Sequence, residues 1–221
     1  NPFITNYEER KEKNIGARSY LIFSSNKAKK INWEYNIGAE WQQSNVSVNN
    51  YQNRSGDKGA LVAFGKISTQ QYFIFNRARL NLSDRFIAEA GLSFNNYNYR
   101  FTDSLVLEKR FIPQWMPRLA LSYAVTNTIV LRSSLSKGYA PPTTAEIRPS
   151  DNRLNTLLQP ETGLNTEIGA RYFSLNKKWW IDISLYKYQL SNAIVQQQNN
   201  AGVEFFVNAG GTNQRGVEMQ S

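Results

Sequence analysis

The segment from residue 31 to residue 41 alternates without a fault between two kinds of side chain. Apolar or aromatic residues occupy the odd positions and polar residues or glycine the even ones: Ile31, Trp33, Tyr35, Ile37, Ala39 and Trp41 against Asn32, Glu34, Asn36, Gly38 and Glu40. Because successive side chains of a β-strand point to opposite faces, this pattern predicts a strand with one apolar and one polar face. Such a strand suits the core of a soluble sandwich or the wall of a membrane barrel with a wet interior.

Charged residues in the middle of several similar segments favour the barrel. The alternation recurs over residues 78–82, 86–95, 119–125, 129–136, 164–172 and 179–186. A dry core rejects an unpaired charge, whereas a watery lumen accepts it. We predict that one set faces lipid, namely Ile31, Trp33, Tyr35, Ile37, Leu164, Ile168, Ile181 and Ile183. A second set is predicted to face the interior, namely Glu34, Arg79, Arg132, Glu167 and Arg171.

The connections between these segments alternate in length. Residues 83–85, 126–128 and 175–178 are tight turns, and residues 43–68, 96–115 and 138–163 are long and polar. Short turns at one end and long loops at the other are typical of outer-membrane barrels, with the long loops extracellular. We therefore predict an all-β fold, an antiparallel up-and-down transmembrane β-barrel, present here as a partial barrel of about ten strands.

Composition removes several classes of protein. The mean hydropathy is −0.53, and no run approaches the roughly eighteen apolar residues of a membrane-spanning helix. Cysteine and histidine are absent, which excludes a disulfide scaffold and a thiolate metal site and removes the usual general base. We therefore expect no enzyme activity, no metal and no cofactor. The net charge of +9 comes from dispersed residues, so we expect solvated loop and lumen cations and no nucleic-acid partner.

Several short motifs occur in a fixed order in the last two thirds of the chain. They are Trp115-Met116-Pro117-Arg118-Leu119, Gly138-Tyr139-Ala140-Pro141-Pro142, Leu158-Gln159-Pro160-Glu161, Glu167-Ile168-Gly169, Asn208-Ala209-Gly210 and Gly216-Val217-Glu218. In this order, residues 70–221 resemble the later part of the barrel in TonB-dependent outer-membrane receptors. The first third resembles that family only in its alternation.

The resemblance implies a function and a location. It implies a receptor in the outer membrane of a Gram-negative bacterium that imports an iron chelate, similar to a siderophore, or another scarce nutrient. The implied partners are outer-membrane lipid or lipopolysaccharide, the receptor's own plug domain, the TonB energising complex and the small-molecule ligand. No plug sequence is recognisable, so we expect residues 1–221 to be a fragment of a single barrel domain with the plug domain not present. In such a barrel, Gly169 would leave room for whatever fills the lumen.

Long-loop residues and lumen cations are the candidates for ligand binding, because iron chelates are often anionic. We predict Tyr139, Arg148, Arg153 and Arg171 for this role. The alternative for the arginines is pairing with carboxylates of the wall or the plug. Two other functions remain open: a passive porin or adhesin barrel without energy coupling, and a soluble carbohydrate-binding β-sandwich.

Overall fold

A computed structural model describes residues 6–25, 31–103, 106–148, 154–176, 178–200, 202 and 204–221. The chain divides into two compact units. The hairpin unit comprises Asn1–Arg18, Glu40–Tyr72 and Asn96–Pro113. The wall unit comprises Ser19–Ala39, Phe73–Asn95 and Gln114–Ser221.

The described residues form twelve strands and one short helix. The strands are β1 Asn6–Ser24, β2 Asn32–Arg54, β3 Asp57–Asn81, β4 Phe86–Thr102, β5 Val106–Arg110, β6 Gln114–Ala124, β7 Ile129–Ala140, β8 Glu161–Phe173, β9 Trp180–Ser191, β10 Ile194–Gln198, β11 Glu204–Asn208 and β12 Gly211–Gln220. The helix α1 is Thr144–Ile147. No helix in the described ranges has the length and apolar character needed to cross a membrane.

Ten of the strands make one sheet. Its hydrogen-bonded order is β1-β2-β3-β4-β6-β7-β8-β9-β12, with β5 paired to β4, and β10 and β11 form a separate two-stranded sheet. The registers from β4 to β12 are antiparallel. Apart from β5 and the separate β10–β11 pair, each strand of the main sheet is paired with the next strand along the chain, which confirms the predicted meander of about ten strands.

The predicted tight turns are confirmed where they are described. The Ser83 hydroxyl accepts hydrogen bonds from the amides of Arg85 and Phe86, and the Thr126 hydroxyl accepts from Thr128 and Ile129. These side chains take up backbone donors that the ladder leaves unpaired. The third turn lies between β8 and β9, and its residue 177 is outside the described residues.

The prediction of a long loop is wrong for two of the three segments, because both form mainly β-strands. Within 43–68, β2 continues to Arg54 and β3 begins at Asp57, joined at Ser55 and Gly56, whose φ values are 57° and 105°. Within 96–115, β4 runs on to Thr102 and pairs with β5. The third, 138–163, is largely irregular where it is described, between the end of β7 and the start of β8.

The wall unit has the two faces that the sequence predicts. Six of the eight residues predicted to face lipid are exposed: Ile31, Trp33, Ile37, Leu164, Ile168 and Ile183. Tyr35 and Ile181 are half-buried. Arg132 on β7 lies opposite Gly169, and Arg171 on β8 lies opposite Asp182, so these polar residues share the other face. The predicted separation of apolar and polar faces is therefore confirmed, with Tyr35 and Ile181 less exposed than expected.

The hairpin unit buries the opposite series of side chains. Its buried apolar residues are Val46, Val48, Ile67, Tyr97, Tyr99, Phe101 and Phe111. In β2 the apolar positions are odd up to Trp41 and even at Val46 and Val48. In β4 they are even up to Phe94 and odd from Tyr97. The rings of Tyr97 and Phe111 stack at 5.6 Å, and burial raises the pKa of Tyr99 to about 12. A change of phase within the strands, rather than loss of strand structure, explains why these segments looked like loops.

Candidate functional site

The polar face of the wall unit holds a cluster of four charged side chains on three adjacent strands. Arg132 is on β7, Glu167 and Arg171 are on β8, and Asp182 is on β9. The Asp182 carboxylate accepts a hydrogen bond from the Arg132 guanidinium and another from Arg171 Nε, the latter at 2.5 Å. Arg132 Nε also lies 3.6 Å from Glu167. We call these four residues the Asp182 cluster.

Gly169 makes the Asp182 cluster possible. A Cβ atom at Gly169 would lie 3.0 Å from Arg132 Nε and 3.0 Å from the carbonyl oxygen of Ile183. Gly169 was expected to leave room for whatever fills the lumen. Within the sheet, the Arg132 guanidinium occupies that space. On the other side of the cluster, the Arg171 guanidinium stacks over the Trp180 ring at 5.1 Å.

A second ionic network lies on the same face of the wall unit. Arg77 contacts Glu34 at 3.1 Å and Glu89 at 3.9 Å, and Arg118 lies 3.6 Å from Glu89. Across the two networks, the arginines 77, 118, 132 and 171 are matched by the carboxylates 34, 89, 167 and 182. These paired positions have no net charge, whereas Arg79, which was predicted to face the interior, lies beside Glu89 and Arg118 outside both networks and adds one positive charge.

The structure describes three of the four predicted ligand-binding residues, and they occupy different elements. Arg171 belongs to the Asp182 cluster, which is the wall pairing considered as its alternative role. Arg148 follows α1 and is 8% exposed. Tyr139 is near the end of β7 opposite Thr162, and its buried hydroxyl has no hydrogen-bond partner in the described part of the chain. Arg153 lies outside the described residues. The assignment of these residues to a ligand stays a prediction.

Sequence reasoning missed a scaffold that holds the third long loop in place. The Asn155 side chain donates to the carbonyl of Phe206 on β11 at 2.6 Å, and Gln159 and Asn208 exchange two hydrogen bonds of 2.8 and 2.9 Å. Ile147 and Leu158 are buried at 0% and 2% exposure. We call this arrangement of 154–160 against β11 the loop scaffold. Asn208 was visible as part of a turn motif, but nothing in the sequence showed its partner.

The helix α1 begins with a capping box. The Thr143 hydroxyl accepts from the Glu146 amide, and the Glu146 carboxylate accepts from the Thr143 amide. This cap fixes the chain direction just before Arg148. Over the described ranges, no group of three His, Cys, Asp or Glu side chains could hold a metal ion.

Comparison with known proteins identifies the class. Residues 3–221 match the family model described as TonB dependent receptor-like, beta-barrel. The chain belongs to this family, which consists of outer-membrane transport receptors rather than enzymes. Its fold is accordingly a partial barrel of about ten antiparallel strands.

Three solved receptors illustrate the similarity of fold. A double mutant of the Serratia marcescens hemophore receptor HasR, in complex with its hemophore HasA and heme, is 16% identical with a TM-score of 0.74, over 96% of this chain and 40% of that one. The ferripyoverdine receptor of Pseudomonas aeruginosa, bound to ferripyoverdine, is 19% identical with a TM-score of 0.70, over 97% and 31%. The ferric-catecholate import receptor Fiu of E. coli K12 is 15% identical with a TM-score of 0.68, over 96% and 35%.

The extent of these matches limits what they show. This chain spans between 31% and 40% of the length of those three receptors. At such low identities the likeness shows the fold alone. No curated protein matches this sequence.

Proposed function

We propose that this chain is part of an outer-membrane TonB-dependent receptor that binds and imports an iron chelate or a similarly scarce nutrient. The observation that carries the proposal is a wall with an exposed apolar face and a charge-paired polar face, in a chain of this family. The three receptors above are named for heme, ferripyoverdine and ferric catecholates. Residues 1–221 would be a piece of a single barrel domain, with a plug and the TonB contact supplied by the rest of the receptor. Its location would be the outer membrane of a Gram-negative bacterium.

The wall cation Arg171 is poorly suited to hold an anionic ligand. Arg171 already shares a carboxylate with Arg132, so its charge is largely neutralised. Tyr139 and Arg148 flank the capped helix α1, and the loop scaffold follows it. We therefore propose that Tyr139, Arg148 and Arg153 contact the ligand, and that Arg171 acts mainly by keeping the wall paired.

Binding by the full-length receptor tests this division of roles. Arg153→Gln should weaken binding of an anionic ferric chelate by about tenfold, because a charge-assisted hydrogen bond contributes roughly 1.5–3 kcal/mol. Arg171→Gln should change binding by less than about threefold, since that guanidinium is already paired. The measurement is equilibrium binding of a labelled ferric catecholate, a ferric hydroxamate and ferric citrate.

Failure of all three chelates to bind would refute the iron-chelate proposal. Uptake that persists after the membrane is de-energised would favour the passive porin. A protein recovered from the soluble fraction without detergent would favour the carbohydrate-binding sandwich.

Cysteine labelling on intact cells tests the predicted sidedness. The chain contains no cysteine, so a single introduced thiol is the only reactive one in these residues. Asp57, next to the exposed β2–β3 turn, should react with a membrane-impermeant maleimide, whereas Asn127 in the β6–β7 turn should react only after lysis. Asp57 is a better probe than Asn50 in the same segment, because Asn50 is 2% exposed. Equal labelling of both sites from outside would contradict the assignment.

A further inference from the structure

A cleft of about 310 Å³ on the hairpin unit is lined mainly by neutral polar side chains, and none of the residues proposed above to contact the ligand borders it. Strands β1 to β4 contribute its lining, and every described lining residue belongs to the hairpin unit. Although the chain carries a net charge of +9, none of the described residues that line this cleft is an aspartate, glutamate, lysine or arginine. The residues that supply amides and hydroxyls include Asn14, Gln42, Ser44, Thr69, Gln71 and Tyr97. We call this site the neutral cleft.

Two carboxylates beside the neutral cleft are hydrogen-bonded to its amides. The Glu40 carboxylate accepts a hydrogen bond of 2.6 Å from the Gln42 side chain and lies 2.7 Å from Arg18 Nε. The Asn14 side chain likewise donates to Glu12 at 3.1 Å. Each of these amides uses its NH₂ group in this way, and its carbonyl oxygen is still able to accept. The exposed rim formed by Asn14 and Gln42 therefore offers hydrogen-bond acceptors and no guanidinium or ammonium group of its own.

The floor of the neutral cleft is buried and includes a hydroxyl that lacks a partner. The Ser44 Oγ atom is buried and makes no hydrogen bond within the described part of the chain. Thr69 is 8% exposed and Tyr97 is 7% exposed, and the Tyr97 ring stacks on Phe111 at 5.6 Å. This packing holds the floor in place before a ligand arrives. Because a buried polar group without a partner is unfavourable, a ligand that supplies a hydrogen bond to Ser44 gains affinity.

We propose that the neutral cleft binds a short, uncharged saccharide. Each sugar hydroxyl both donates and accepts, so it pairs with the Ser44 hydroxyl and with the amide oxygens of Asn14 and Gln42. An anionic chelate finds no cation in this lining, and an apolar ligand leaves the Ser44 hydroxyl unsatisfied. The volume is at the lower end of the range of about 300–1,000 Å³ for small-molecule pockets, which suits a short saccharide. This site goes beyond the proposed import of an iron chelate and does not depend on it.

The hydroxyls of Ser44 and Thr69 carry the recognition in this proposal. Ser44 supplies the buried group that lacks a partner, and Thr69 is a buried residue that lines the same cleft. Ser44→Ala and Thr69→Val remove a hydroxyl with little change in shape. They therefore test hydrogen bonding to a saccharide while leaving the packing of the floor nearly intact.

Calorimetric titration of the full-length receptor with maltotriose, cellotriose and N,N′-diacetylchitobiose tests the proposal. The receptor is held in an amine oxide detergent, because a detergent with a sugar headgroup would compete. At least one of the three saccharides should bind with a Kd of about 1 mM or tighter. Ser44→Ala should weaken that binding about three- to tenfold, because one neutral hydrogen bond is lost, and Ser44→Ala with Thr69→Val should weaken it further.

The thermal midpoint of unfolding separates recognition from a structural role. Ser44→Ala should leave the Tm unchanged or raise it, because the variant removes a buried hydroxyl that has no partner in the described part of the chain. Ser47→Ala is the matched control for binding. Ser47 lies three residues further along β2, on the opposite face of the strand, and does not line the neutral cleft. Its replacement should leave saccharide binding unchanged.

Several results would overturn the proposal. These are failure of all three saccharides to bind, undiminished binding by the double variant, equal loss in Ser47→Ala, or a Tm lowered by Ser44→Ala. Tighter binding of a carboxylated saccharide of the same length would show that the site selects an anion. A capped trialanine peptide that competes at the same concentration as the saccharide would make this a peptide site instead.

Discussion

Replacing Ile168 by arginine should lower the free energy of unfolding in a bilayer by about 2–4 kcal/mol, which is the range for a cation on the lipid face near the midplane of a barrel. Ile168 is 55% exposed on β8 and lies in the middle of a strand that begins at Glu161 and ends at Phe173. A guanidinium at this position must either enter hydrocarbon or bend towards the interface. The measurement is equilibrium denaturation of the full-length receptor refolded in lipid vesicles.

Ser134→Arg is the matched control for this prediction. Ser133 lies opposite Ile168 and Ser134 lies opposite Glu167, so Ile168 and Ser134 occupy adjacent rungs of the same ladder on opposite faces. The new arginine at Ser134 meets water and a carboxylate, and its effect should stay within about 1 kcal/mol. Equal destabilisation by both substitutions would contradict the assignment of the two faces.

Replacing Asp182 by alanine should be the most damaging change on the polar face. The carboxylate is 4% exposed and serves two guanidinium groups, so its removal leaves Arg132 and Arg171 facing each other without a common acceptor. Breaking a fully buried pair costs about 3–5 kcal/mol, and we reduce this to about 1–3 kcal/mol because the two arginine side chains are one third and two fifths exposed. The unfolding free energy in vesicles measures the loss.

A double-mutant cycle separates repulsion between the arginines from loss of a simple contact. Arg132→Met in the Asp182→Ala background should restore part of the lost stability, because it removes one of the two unmatched charges. Glu167→Ala is the control, since Glu167 is about one third exposed and lies 3.6 Å from Arg132, and its loss should cost less than about 1 kcal/mol. If the Asp182→Ala variant has the same unfolding free energy as the parent protein, water in the lumen solvates both arginines fully, and the predicted loss of stability is wrong.

The alternation near Ile37 and Ile168 predicted much of the fold because each face of those strands meets one kind of environment over its whole length. The same rule failed for 43–68 and 96–115, where Val46, Val48, Tyr97 and Tyr99 occupy the positions that are polar earlier in the same strand. A search that allowed the apolar series to change from odd to even would have found these strands. Turn residues such as Ser83 and Thr126 were readable because their hydrogen bonds are local.

The candidate site was harder to predict because its geometry depends on long-range register. Arg132 and Asp182 are fifty positions apart in sequence and meet only because β8 lies between their strands. Gly169 was recognised as a gap on the polar face, but the side chain that fills it comes from the neighbouring strand. The contact between Asn155 and Phe206 likewise joins segments whose sequences give no sign of each other.

The change of phase in β2 and β4 has a consequence for how the protein sits in a bilayer. A strand with one uniform alternation could slide along the membrane normal by two residues and still present apolar side chains to lipid. In β2 the same slide would carry Gln43 or Asn45 into hydrocarbon, and in β4 it would carry Asn96 or Asn98 there. Each polar amide moved out of water costs on the order of several kcal/mol when it has no partner. These polar side chains therefore oppose movement of the two strands along the membrane normal.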